Sequence, residues 1–431
     1  MPPLPEPNLG TLQAGMTLIP VVITVCLLLC IPTTTRFRTG IGLAAAWNAT
    51  ALIPVNLIAV GNGWWTFHDT TSSPFRLPLD LMCGWAILWG ATLFLAFQGK
   101  HFITALLTAT FFDLIVMPLC APVITLGEGW LWGELIALCL CFAPGWWLAS
   151  ATVRDQHVGW RASLQVMIAG FGLLWLLPSY ALSLSGKHLS EIIEGPAWRV
   201  SLVLNTLLIP CVLGLAATQE LATRGRGTPF PFDPPKDLVT TGPYAYLRNP
   251  IQTCTFLVLL LLAIALNDIY LLASACVALI YFAGIARWHH LETAEARFGG
   301  EVTVYHRHVR DWIPHWRPWI MTPSTIYFAR SCEICGSTER LLRKLNPIGL
   351  TFEDAANHPT ALRRVAYRYP DEGEVHGIEA IASALSHVNF AWALLGWCMR
   401  LPIIRSFLQI IADGSAAVPS PTGIDAQPDK E

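Results

Sequence analysis

The sequence has little charge. Asp, Glu, Lys and Arg make up 13% of its 431 residues, and the formal net charge is -2. The first 220 residues carry few of these side chains, whereas the stretch from Arg287 onward is rich in them. So balanced a charge excludes the strong positive field on which nucleic-acid binding depends, and no nucleic acid is expected as a partner. The N-terminal Met1 to Gly10 lacks the basic region of a cleavable signal peptide, so the first apolar run is expected to stay in the mature chain. There is no internal repeat. Cysteines with a chemically telling spacing are also scarce. Those from Cys26 to Cys276 lie in apolar runs and read as small hydrophobes, and only Cys332 and Cys335 form a Cys-x-x-Cys pair.

What the chain has instead is apolar length. Hydrophobic residues make up 54% of it, with 18 Trp. Runs long enough to cross about 30 Å of hydrocarbon fall at roughly 12–31, 41–60, 79–97, 103–126, 131–151, 164–184 and 200–221. A short hairpin, roughly 251–266 and 270–288, adds two, for about nine transmembrane helices. Trp64, Trp65, Trp130, Trp132, Trp146, Trp147 and Trp160 lie near run ends, where an interfacial aromatic belt puts them. With the Arg248 loop inside, alternation puts Arg36, Arg38, Lys100, Arg154, Arg161, Arg224, Arg226 and Lys236 inside as well. Only Arg76, Lys187 and Arg199 fall outside. This asymmetry predicts an outward N-terminus and a cytoplasmic C-terminus. The expectation is an integral protein of a bacterial plasma membrane.

The polar punctuation of the hairpin carries the chemistry. Before it stands D-L-V-T-T-G-P-Y-A-Y-L-R-N-P; after it, H-H-L-E-T-A-E-A-R-F-G-G-E-V-T-V-Y-H-R-H-V-R-D-W-I-P. The hairpin brings both segments to one side of the bilayer. Gly242-Pro243 permits a tight turn with exposed backbone amides. Tyr244 and Tyr246 offer aromatic faces to a planar ring or a cation. Arg248 can pair with a carboxylate, and Asn249 can donate and accept hydrogen bonds. Glu292 and Glu295, three apart, share a helical face. Taken singly, Arg248 and Arg287 also read as snorkelling anchors and the two tyrosines as belt aromatics. His289 and His290 point about 100° apart on a helix, so they do not form one metal site, and no metal is expected.

With Leu238, Val239, Gly242, Pro243, Tyr244, Tyr246, Arg248 and Pro250, then Glu292, Phe298, Gly299, Tyr305, Val309 and Pro314, the stretch from about Arg199 to Pro314 resembles the isoprenylcysteine carboxyl methyltransferase and phospholipid methyltransferase superfamily. The resemblance implies S-adenosylmethionine as cofactor and a lipid or prenylated acceptor. It implies Arg248 and Glu292 as catalytic residues. Gly242, Pro243, Tyr244, Tyr246, Asn249, Glu295 and Tyr305 would bind the cofactor. The family's acidic pair falls on His290 and Leu291, so Glu292 is displaced by one residue, and Asn249 stands where His is frequent. A sterol-reductase-like enzyme using NADPH is the alternative within related membrane folds.

The apolar runs also hold Asp80, Asp113, Glu128 and Glu134, with His68 and Asp69 in a loop. Ionisable groups in lipid are costly and hint at function. For Asp113 an interhelical hydrogen bond is the favoured reading.

From Ser324 the texture changes. Short β-branched and aromatic runs at 325–328, 349–352 and 365–369 alternate with helical patterns at 338–345 and 377–386, which predicts a small α/β domain. T-I-Y-F-A-R-S-C-E-I-C-G, H-G-I-E-A-I and L-L-G-W-C-M-R-L-P-I-I-R resemble the DCC-family thiol-disulfide oxidoreductase-like domains, which implies a thioredoxin-like fold. Cys332 at a helix N-terminus would be the acidic, attacking thiol and Cys335 the resolving one. A thiol redox partner follows from that reading; a zinc site would need help from His358, His376 or His387. The expected division is 1–198 membrane helices, 199–322 methyltransferase-like core, 323–414 thioredoxin-like domain and 415–431 disordered tail. A membrane-anchored thiol redox protein remains the competing class.

Overall fold

The computed structural model describes residues 9–68, 77–121, 123–230, 232–286, 295, 297–329 and 333–415. Among them, seven helices are long and apolar enough to cross a membrane. They are α1 (Leu9–Cys30), α2 (Thr35–Gly61), α3 (Leu79–Ala96), α4 (Phe102–Leu119), α5 (Trp130–Val153), α6 (Val158–Ser183) and α7 (Ala197–Thr223). The hairpin expected to supply two more spans forms α8 (Pro250–Leu266) and α9 (Ile269–Gly284), which are apolar but shorter. Asp268 caps α9 by accepting from the Leu271 amide.

The chain divides into two compact units: 1–189 with 226–234, and 190–225 with 235–431. In the first, α1 to α5 pack around Trp89, Phe94, Phe142 and Trp146, and Leu164 and Ile168 of α6 pack against Leu43, Trp47 and Leu148. Close approach of α2 and α3 depends on Gly90, where a Cβ would sit 2.5 Å from the Ala45 nitrogen. Two short strands, β1 (Trp65–Phe67) and β2 (Ile124–Leu126), pair antiparallel between helix ends. The loop 226–234 belongs to this unit: Asp233 pairs with the fully buried Arg161 of α6.

The second unit joins segments that the sequence reading separated at 322/323. It contains α7 to α9, α10 (Gly300–His308), and a four-stranded sheet of β3 (Ser324–Phe328), β4 (Leu350–Asp354), β5 (Ala366–Arg368) and β6 (Glu374–His376). The sheet order is β4-β3-β5-β6; β3 and β4 run parallel, and the other two pairings are antiparallel. Helices α11 (Glu333–Lys344) and α12 (Ile378–Leu385) flank the strands, and Ile326, Phe328, Leu342, Tyr367, Ala380 and Ala384 form the core between them. The expected strands and helices of this region thus form, with α11 starting earlier than predicted and β6 added. The last described helices are α13 (Phe390–Arg400) and α14 (Pro402–Ser415), bent 87° to one another. Trp397 of α13 is fully buried in a cluster with Val212, Leu213 and Ala216 of α7. That shared core is why no unit boundary falls between the membrane core and the α/β segment.

Candidate functional site

The Gly-Pro turn sits on the end of α7. Gly242 has φ +57°, a left-handed conformation that glycine adopts without strain, and it opens a single 3-10 turn, Gly242–Ala245. A Cβ at Gly242 would lie 3.0 Å from Glu220 Cδ. Glu220 is fully buried and accepts from the Thr241 hydroxyl at 2.6 Å. The same carboxylate pairs with Arg400 at the end of α13, 3.1 Å away. One buried acid in α7 therefore holds both the turn and the C-terminal helix. Arg400 also faces Glu379, which Arg405 binds at 2.7 Å.

The residues after the turn are fastened by the segment that follows α10. The Trp319, His315 and Arg248 amides donate to the carbonyls of Ala245, Tyr246 and Arg310. Arg248 pairs with Asp311 at 2.7 Å, and Asn249 donates to the Asp311 carbonyl. Among the described residues the buried Arg248 Nε has no hydrogen-bond partner. The Tyr305 hydroxyl donates to the Tyr244 carbonyl at 2.8 Å. Burial raises the pKa of both phenols. The neighbouring Tyr305 and Glu220 add to the shift at Tyr244; at Tyr305, Arg248 opposes it and Asp311 adds to it. Both are neutral hydrogen-bonding groups near pH 7.

The expected residues thus fall into distinct places. Gly242, Pro243, Tyr244, Arg248, Asn249 and Tyr305 come together at the turn and its fastening segment. Tyr246 is fully buried, and its hydroxyl donates to the Ser386 carbonyl. Trp397 and Phe390 meet its ring edge-on at 5.7 and 5.6 Å, so the side chain holds α13 rather than lining an open surface. Glu295 is exposed, and its carbonyl accepts from the Gly299 amide. Glu292, together with His289 and His290, lies outside the described residues. So does Cys332, while Cys335 of α11 packs half-buried against the α/β core.

Sequence reasoning missed Glu220, Asp311 and Arg400. Glu220 had a signal: it is an acid in the last turn of an apolar run, at a depth where burial demands a partner.

In the first unit, Asp113 accepts from the Trp89 indole at 3.1 Å, the interhelical bond favoured for it. Asp80 accepts from Gln13, and His68 bonds Thr125. In the α/β segment both nitrogens of His387 are engaged. Nδ1 donates to the Ile348 carbonyl, which leaves Nε2 to accept from the Tyr367 hydroxyl at 2.7 Å. His358 bonds Glu374, Arg368 and Thr360.

Spans, turn and hairpin define a polytopic membrane protein with a polar site built at one end of α7. Residues 198–294 match the family model of phospholipid methyltransferase. The match covers α7, the Gly242 turn, α8 and α9, and it supports a membrane methyltransferase, in agreement with the resemblance of the motif residues. It spans less than a quarter of the chain. No curated protein and no solved structure matches.

Proposed function

We propose that this protein is an S-adenosylmethionine-dependent methyltransferase acting on a lipidic or isoprenoid-type acceptor at the cytoplasmic face. The observation that carries the reading is the phospholipid methyltransferase match lying directly over the Gly242 turn and Arg248. S-adenosylmethionine, when bound, supplies a methyl group already activated as a sulfonium, so the chain has to provide position and complementary charge. The turn and its surroundings fit such a cofactor in part. Among the described residues the buried Arg248 Nε has no partner, which suits it to a carboxylate, and Asp311 holds one terminal nitrogen of the guanidinium. Gly242 keeps the backbone free of a Cβ where Glu220 presses on it. Tyr244, Tyr305 and Asn249 hold the segment in shape through hydrogen bonds rather than through acid–base chemistry. Tyr246 contributes from behind, as packing. Acidic partners for the cofactor's amino group or ribose would come from Glu292 and Glu295. The acceptor would enter from the bilayer, to which the apolar helices expose Leu202, Leu208 and Ile209.

The α/β segment supports a second element, a thiol-disulfide oxidoreductase-like appendage. A parallel β3-α11-β4 unit, followed by two antiparallel strands and a helix, is the arrangement a thioredoxin-like reading calls for. One experiment separates methyl transfer from a membrane-anchored redox role. Purified protein in detergent is titrated with S-adenosylmethionine and with NADPH by calorimetry, alongside Arg248→Ala and Cys332→Ser. Binding of S-adenosylmethionine, weakened about tenfold or more by Arg248→Ala and untouched by Cys332→Ser, is the expected result. Binding of NADPH alone supports the reductase-like alternative. Binding of neither, with a cellular phenotype that follows Cys332, supports the redox protein.

A further inference from the structure

Helix α14 carries two stripes. Arg405, Gln409 and Asp413, four apart, face the α/β core. Arg405 donates to Glu379 at 2.7 Å, Gln409 accepts from the Ile378 amide at 2.9 Å, and Asp413 accepts from Arg364 at 2.6 Å. On the other side, Ile403, Phe407, Ile410 and Ile411 follow the i, i+4, i+7, i+8 pattern. They are 86, 62, 71 and 51% exposed. A polar side used up in bonds and an apolar side left open is the reverse of a helix on the surface of a water-soluble domain.

The starting point of α14 tells what covers that face. Helix α7 is long and apolar enough to span the membrane, and it exposes large apolar side chains as far as Leu215. Ala393 and Trp397 of α13 share a buried cluster with Val212, Leu213 and Ala216 of α7, and Arg400 then meets Glu220. Helix α13 therefore packs beside the last turns of α7, with its end at Arg400 fastened to Glu220. The chain then bends by 87°, so α14 leaves the line of α13 at this point. The level at which it leaves is set by Glu220, five residues or about 7–8 Å beyond Leu215 at 1.5 Å per residue. That is the headgroup–acyl boundary, the depth at which in-plane amphipathic helices lie.

We propose that α14 is an in-plane membrane anchor whose Ile403, Phe407, Ile410 and Ile411 insert into the lipid surface beside α7. The stripe begins next to the last turn of a helix long and apolar enough to span the membrane, whose own exposed side chains are apolar, so the bilayer is the occupant. The helix fixes the α/β segment against the membrane on the face that carries the Gly242 turn. The inference does not depend on the reaction catalysed. It is tested with the full chain in nanodiscs of phosphatidylcholine and phosphatidylglycerol. The photo-crosslinking residue benzoylphenylalanine is placed singly at Phe407, at Ile410, at the lipid-facing Leu215 and at the exposed Asn357. Mass spectrometry then identifies the adducts. Lipid adducts at Phe407 and Ile410 comparable to those at Leu215, and on the order of tenfold above Asn357, are expected. Lipid yields at Phe407 and Ile410 no higher than at Asn357 would overturn the proposal, as would adducts there to a second copy of the chain.

Discussion

The two units differ in how far they reach to satisfy buried polarity. In the first, many intramembrane polar groups are met within a helix or by a neighbouring one, with longer reaches such as Thr24 to Thr92 across 68 positions and Arg161 to Asp233 across 72. Asn48 and Asn56 donate to the carbonyls of Ala44 and Leu52 within their own helix, and Asp113 is met by the Trp89 indole and by Glu134. Its one fully buried guanidinium among the described residues, Arg161, lies near a helix end between Asp155 and Asp233. In the second unit, ion pairs connect segments distant in sequence, and the Glu220–Arg400 pair among them is buried. Glu220 meets Arg400 across 180 positions, Arg224 meets Asp371 across 147, and Arg248 meets Asp311. Local satisfaction leaves a helix bundle tolerant of change, because each bond can be lost alone. Long-range pairing makes the turn, the fastening segment and the C-terminal helices depend on one another.

The sharpest way to break this comparison is at Arg400. Arg400→Ala leaves Glu220 charged, buried and without its main partner, which should cost about 3–5 kcal/mol. Removing both charges, Glu220→Leu with Arg400→Leu, should cost less than the sum of the single changes. Thermal unfolding in detergent measures all three. Strict additivity would mean the pair is not coupled.

A somewhat smaller effect is expected at His387. Burial pushes its pKa down to about 4, with the Ile348 carbonyl opposing the shift. A histidine depressed on folding binds more protons when unfolded, so stability rises with pH between the folded value and about 6.5. Acidifying from pH 7 to 4 should therefore cost the second unit on the order of 3 kcal/mol through this residue. His387→Leu should flatten that dependence, even though it lowers stability at pH 7. An unchanged acid slope in the variant would assign the dependence to other groups.

The smallest effect is expected in the first unit. Trp89→Phe removes the donor to Asp113 and should cost only about 0.6 kcal/mol for the hydrogen bond, the usual value between membrane helices. A loss as large as that of Arg400→Ala would erase the contrast between the units.

Much of the membrane architecture was legible in the chain, because crossing hydrocarbon demands a continuous apolar run that nothing else in a sequence imitates. The Gly242-Pro243 turn and the Arg248 position were equally legible, since few residue types meet the backbone and charge needs of such a site. The strands at Ser324, Leu350 and Ala366 could be read from β-branched and aromatic runs. The hairpin was read closely, 251–266 against Pro250–Leu266 and a second helix from 270 against one from Ile269, because Asn267 and Asp268 interrupt the apolar run. Tyr246 was read as a face for a ligand because an aromatic side chain beside a motif looks the same whether it is open or packed.

What only the tertiary structure decided is how the pieces are joined. The acid at Glu220 signals that it needs a partner, but nothing in the sequence points to Arg400, and no local pattern links residues that far apart. Their pairing follows from the burial of both side chains, since a charge taken out of water must find its opposite wherever the fold brings one. The same holds for Asp311 beside Arg248, and for the apolar stripe of α14. By composition that stripe reads as any amphipathic helix. Only the Arg400–Glu220 contact, which starts α14 at the end of α7, sets it beside the membrane.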